Sequence, residues 1–160
     1  MSIEQGTPSM SALQQKTGGT KVSTREAEIS MSIKRTILVA EDEEFIRRMI
    51  ASELGEDYDV LVASDGVDAV CTYEQNVERI VAVVTDLEMP RLGGSMVVEW
   101  IHHIRPELPI IVMSGGSITN TELEDLLRTR TVIFLAKPFE LPQLKSILCG
   151  LLEREPRRAA

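Results

Sequence analysis

Three apolar runs constrain this chain more than any other feature: "TILVA" at Thr36–Ala40, "IVAVVT" at Ile80–Thr85 and "LPIIVM" at Leu108–Met113 are almost continuously hydrophobic. A strand with one face in water alternates apolar and polar residues. A strand covered on both faces reads as an unbroken run, as in a parallel sheet between helical layers. Two further β-branched runs, "YDVLVA" (Tyr58–Ala63) and "TVIFLA" (Thr131–Ala136), complete a set of five strand candidates.

Helix-like windows separate them. Glu43–Leu54 is expected to carry Phe45, Ile46, Met49, Ile50 and Leu54 on one face, with Gly55 as the C′ residue. Val67–Asn76 and Ser95–His103 follow, the latter holding Trp100 as a filler and ending in His102 and His103, which favour the negative end of the helix dipole. Thr121–Arg128 opens with capping-box spacing at Thr121 and Glu124. Leu141–Leu152 tolerates Pro142 in its first turn and shows an apolar stripe of Leu144, Ile147, Leu148 and Leu151. Parallel neighbours need right-handed helical crossovers, so the expected fold is α/β: a doubly wound five-stranded parallel sheet, flavodoxin-like in order 2-1-3-4-5, with five helices.

The 160 residues suffice for one domain with a sizeable core. Residues 1–33 are rich in Ser, Thr, Gln and Gly without a sustained period and are expected to be a disordered tail, with Met31 as an alternative start. The domain is expected over residues 34–153, and 154–160 are expected to be a short C-terminal tail that leaves no room for an output domain. The formal charge is −8; Glu4, Glu26 and Glu28 cancel Lys16, Lys21 and Arg25 in the tail, so the acidity belongs to the domain. An acidic domain without a basic stripe disfavours direct nucleic-acid binding and favours a cationic partner. Cys71 and Cys149 lie far apart in helical windows, which fits buried or idle thiols in a reducing compartment. No run approaches the roughly 18 apolar residues of a membrane span, and no signal peptide is evident, so a cytoplasmic location is expected.

In a doubly wound sheet, functional groups collect beyond the carboxyl ends of the strands, at the switch between strands 1 and 3. Strand 1 runs into "EDEE" (Glu41–Glu44), strand 3 into Asp86, strand 4 into "SGG" from Ser114, and strand 5 into Lys137 and Pro138. Glu41, Asp42 and Asp86 brought together would repel one another and raise one another's pKa. A hard divalent cation relieves this, and a shallow rim that leaves ligand positions for water suits Mg2+. Lys137 adds a fixed positive charge. Metal and lysine together can hold a phosphoryl group while an Asp86 carboxylate oxygen attacks phosphorus in line.

The motifs "ILVAEDEE", "VVTDLEMP", "IIVMSGG" and "FLAKPF", in this order, resemble the receiver domain of two-component response regulators over about Lys34 to Leu152, in its stand-alone, single-domain form. The resemblance implies that Asp86 is the phosphoacceptor and that a sensor histidine kinase or histidine phosphotransfer protein is the donor. It makes Asp42 the principal Mg2+ ligand, Glu41 a neighbour acting partly through water, and the Glu88 backbone carbonyl a further ligand. Ser114 would hydrogen-bond a phosphoryl oxygen, Lys137 would pair with another, and Phe134 occupies the place of the switching aromatic, so that phosphorylation alters affinity for a downstream protein. The apolar stripe of the last helix would support a phosphorylation-dependent homodimer.

The chain departs from the family pattern in four places. Glu41 is a longer acid than the usual aspartate, Gly93 stands where an aspartate is common, two glycines follow Ser114, and the "LLRTRTV" passage lacks the common glycine-alanine turn. Two other readings stay open at this level. One is a Mg2+-dependent phosphohydrolase with an aspartyl nucleophile, for which Glu88 would serve as the second acid. The other is a receiver-like interaction module that works without phosphorylation.

Overall fold

The computed structural model describes residues 34–116 and 121–154. The expected disorder of 1–33, the alternative start at Met31, the capping role of Thr121 and the tail beyond Arg154 lie outside what is described. The elements alternate strictly along the chain. They are β1 (Thr36–Ala40), α1 (Glu44–Leu54), β2 (Asp59–Ala63), α2 (Gly66–Gln75), β3 (Ile80–Asp86), α3 (Gly94–Ile104), β4 (Ile110–Ser114), α4 (Thr121–Leu127), β5 (Val132–Ala136) and α5 (Leu141–Arg154). The five strands form one parallel sheet in the order β2-β1-β3-β4-β5. This is the doubly wound, flavodoxin-like arrangement that the apolar runs predict.

Two-residue alternation along the strands feeds two cores. Leu38, Val83, Ile110 and Val112 point to the layer of α2, α3 and α4, where Ala69, Tyr73, Val97, Ile101 and Leu123 meet them. Ile37, Val39, Val84, Ile111 and Met113 point to the other layer, where Ile50, Leu54, Leu144 and Leu148 cover them. Trp100 packs edge-on against Tyr73, with ring centroids 5.9 Å apart.

Several expectations need correction. On α1, Ile46, Ile50 and Leu54 face the core at four-residue spacing, whereas Phe45 (73% exposed) and Met49 (41%) face water. Phe45 and Met49 precede Ile46 and Ile50 by one residue, a rotation of about 100° that carries them off the buried stripe. Gly55 is the C-cap of α1, in a right-handed conformation (φ −63°), one place before the C′ position expected for it. Cys71 and Cys149 are free and exposed rather than buried. The apolar stripe of α5 lies in the protein's own core: Leu144, Leu148 and Leu151 are buried and Ile147 packs against them. Among the described residues, no helix is long and apolar enough to cross a membrane.

Candidate functional site

The carboxyl edge of the sheet gathers the residues that the strand-end reading singles out. Asp86 is the last residue of β3, one place further than the apolar run alone predicts, and lies opposite Met113 in register. The chain continues pairing beyond it, with the Leu87 amide donating to the Met113 carbonyl at 2.9 Å. Gly94 then closes over the same spot. A β-carbon on Gly94 would stand 1.8 Å from the Asp86 carbonyl oxygen, so only glycine lets α3 begin against the strand that carries the aspartate.

Glu41 follows β1 directly and is fully buried. Its Oε1 accepts from the Glu43 amide at 3.3 Å, and its Oε2 accepts from Lys137 Nζ at 2.9 Å. Lys137 Nζ also donates to Asp86 Oδ2 at 2.9 Å, so one ammonium bridges two nearly buried carboxylates. Lys137 is fixed from behind by its own amide, which donates to the Ser114 carbonyl at 2.8 Å. Asp42, by contrast, is exposed. One carboxylate oxygen from each of Glu41, Asp42 and Asp86 can be chosen so that all lie within 4.8 Å of one another, a cluster able to hold a metal ion.

The electrostatics follow from this packing. Burial is the largest influence on Glu41 and pushes its carboxyl up; Asp86 adds to the rise and Lys137 opposes it. Burial pulls the Lys137 ammonium down, but the hydrogen bonds and charges of Glu41 and Asp86 together outweigh it and leave the lysine more firmly protonated than usual. The site therefore holds a permanent cation beside Asp86.

The remaining predicted residues sit around this centre. Ser114 ends β4, is buried, and accepts from the Gly116 amide through Oγ at 3.0 Å. The Glu88 side chain is exposed, and its Oε1 would be 3.2 Å from a β-carbon on Gly116, which places the two loops side by side. Phe134 lies opposite Val112 in register on β5 and is half-buried. Sequence reasoning missed Arg47 on α1. Its guanidinium donates to the backbone carbonyls of Glu41 (2.7 Å) and Asp42 (3.1 Å), holding the acidic turn from its helical side. The signal was an arginine one to two helical turns after the acidic pair, in a window read only for its apolar face.

A doubly wound sheet whose switch point presents three acids and a bridging lysine defines a receiver-type α/β domain. The chain belongs to the response regulator receiver domain family, whose sequence model matches residues 37–148. It is 36% identical to response regulator RR06 of Streptococcus pneumoniae over 121 residues, covering 74% of this chain and 53% of that protein. It is 31% identical to the sensor histidine kinase RcsC of Salmonella typhi over 119 residues, covering 74% of this chain and 12% of the kinase. The chain thus spans about half of the one relative and a small part of the other. Among solved structures, a response regulator receiver protein from Sinorhizobium medicae matches with a TM-score of 0.66 and 28% identity, covering 76% of this chain and 96% of that one. A receiver domain protein from Clostridium thermocellum matches with a TM-score of 0.64 and 28% identity, covering 74% and 94%.

Proposed function

We propose that this protein is a phosphorylation-switched signalling domain in which Asp86 accepts a phosphoryl group from a phosphohistidine of a sensor histidine kinase or histidine phosphotransfer protein. The observation that carries the reading is the Lys137 bridge, which sets a fixed ammonium 2.9 Å from Asp86 Oδ2. An Asp86 carboxylate oxygen attacks phosphorus, the P–O bond forms as the P–N bond breaks, and the departing imidazole keeps the electron pair. Lys137, freed from one carboxylate oxygen, pairs with a phosphoryl oxygen, and the Ser114 hydroxyl hydrogen-bonds another.

The donor set fits Mg2+: Glu41, Asp42 and Asp86 offer only hard oxygen ligands, and Asp42 is exposed at an open rim. Asp42 and Asp86 would hold the ion with the Glu88 carbonyl. Glu41, whose two oxygens already have protein partners, is suited to a role partly through water. Bound there, Mg2+ neutralises charge on the transferring phosphoryl group. The modified aspartate draws Ser114 inward, Phe134 fills the vacated space, and affinity for a downstream protein changes. The functional unit spans residues 34–153 and works in the cytoplasm.

The test is to incubate the protein with acetyl phosphate and Mg2+ and measure the intact mass. One added phosphate, lost in Asp86→Asn and on omitting Mg2+, is expected; an unmodified wild-type mass, or an unaffected Asp86→Asn, overturns the reading. Sustained multiple-turnover release of phosphate from sugar phosphates would instead mark a phosphohydrolase.

A further inference from the structure

The segment between β3 and α3, Leu87–Gly93, carries Glu88 and turns on an uncommon backbone device. Arg91 has a positive φ of 65°, and the Leu92 amide donates to the Pro90 carbonyl at 2.8 Å, which makes Arg91 the centre of a γ-turn. A non-glycine residue in that conformation is strained unless its surroundings hold it there. Two contacts do so, both from the start of α2. The Arg91 guanidinium pairs with Asp65 Oδ2, while Asp65 Oδ1 caps α2 by accepting from the Val67 and Asp68 amides at 2.9 and 3.0 Å. Gly66 lies directly under the turn: a β-carbon there would be 1.9 Å from the Leu92 carbonyl oxygen.

The segment is anchored at its ends as well, by Leu87 to Met113 and by the Gly94 amide to the Leu87 carbonyl at 2.9 Å. Glu88 sits between these anchors and the Asp65–Arg91 pair. An exposed ion pair alone contributes little to stability, and Arg91 is 58% exposed. Its partner is 8% exposed and already fixed by the helix it caps, so the pair serves to locate the turn. We infer that Asp65 and Arg91 are positioning residues that hold the γ-turn so that the Glu88 backbone carbonyl is presented to the metal at the acidic rim. The inference rests on the Mg2+ reading above and extends it to two residues outside the Glu41, Asp42 and Asp86 cluster.

The test is calorimetric titration of Mg2+ into the full chain, which reads binding without phosphotransfer. Arg91→Gly relieves the backbone strain yet removes the pair, and Asp65→Asn keeps a helix-capping side chain yet removes the charge. Both are expected to weaken Mg2+ binding about tenfold, as loss of an outer-sphere partner typically does. The double variant should be no weaker than either single one, and Arg91→Lys should recover part of the loss. Thermal unfolding should show Arg91→Gly as stable as wild type or more so, which separates positioning from folding. If wild type binds Mg2+ and both variants match it, the inference falls while the metal reading stands; if wild type takes up no Mg2+, both fall.

Discussion

Lys137 Nζ and Asp86 Oδ2 stand 2.9 Å apart, and the same ammonium reaches Glu41 Oε2 at 2.9 Å. The lysine therefore has two tasks that substitution can separate: compensating a fully buried carboxylate and facing the Asp86 side chain.

Lys137→Met leaves Glu41 buried without its counter-charge. Breaking a buried pair from one side costs about 3 kcal/mol at the lower end of the known range. Urea denaturation should show this loss, and Lys137→Met with Glu41→Gln should recover a substantial part of it. Strict additivity of the two single changes would mean that the pair is not coupled.

Gly93 and Gly94 are adjacent but not equivalent. Gly94→Ala drives a β-carbon into the Asp86 carbonyl and should destabilise by about 3 kcal/mol, at the upper range for overpacking. Gly93 has an extended conformation (φ −66°, ψ 151°) at the N-cap of α3, supplies no capping side chain, and a β-carbon there would meet only the Leu87 carbonyl oxygen at 3.7 Å. Gly93→Ser should raise stability by about 0.5 kcal/mol through a new cap and a less free unfolded chain. A thermal melt of Gly93→Ser below wild type would contradict the geometry.

Asp65 links stability to pH. Its carboxyl is held below the ordinary 3.8, first by Arg91 and then by the Asp68 amide, so the unfolded chain binds the proton more tightly than the folded one. The stabilisation is complete above the unfolded value and disappears as pH falls through the lower folded value. Asp65→Asn should therefore show a shallower fall in melting temperature between about pH 5 and about pH 2 than wild type. Parallel curves would show that the Arg91 contact is absent in solution.

The two faces of α1 give a check on packing. Ile50→Ala empties a buried site and should cost roughly 3 kcal/mol, whereas Phe45→Ala, on the exposed face, should stay within about 0.5 kcal/mol. Chemical denaturation of the two variants side by side distinguishes them.

Much of the fold was legible because covered parallel strands leave unbroken apolar runs; "TILVA" marks β1 at its observed limits. The strand ends were legible for the same reason, since each run stops where the chain reaches the rim, and this brought Glu41, Asp42, Asp86, Ser114 and Lys137 together in advance. Phe45 and Met49 were misplaced because a helical face inferred from composition tolerates a rotation of one residue, and only the packing of Ile46, Ile50 and Leu54 into the core settles it. Arg47 and the Asp65–Arg91 pair were invisible for a different reason. They act on backbone groups or across 26 residues of chain, and neither relation leaves a periodic trace.

The hydrogen bonds that pair β3 with β4 at Asp86, and Lys137 with the Ser114 carbonyl, extend the sheet's ladder right up to the acidic rim. In evolutionary terms this is a constraint on insertion. A residue added or lost within β3, β4 or β5 would turn the following side chains to the opposite face and dismantle the rim at once, while the same change in a connection leaves the register intact. Asp86, Ser114 and Lys137 thus depend on the register of three neighbouring strands for their place at one rim.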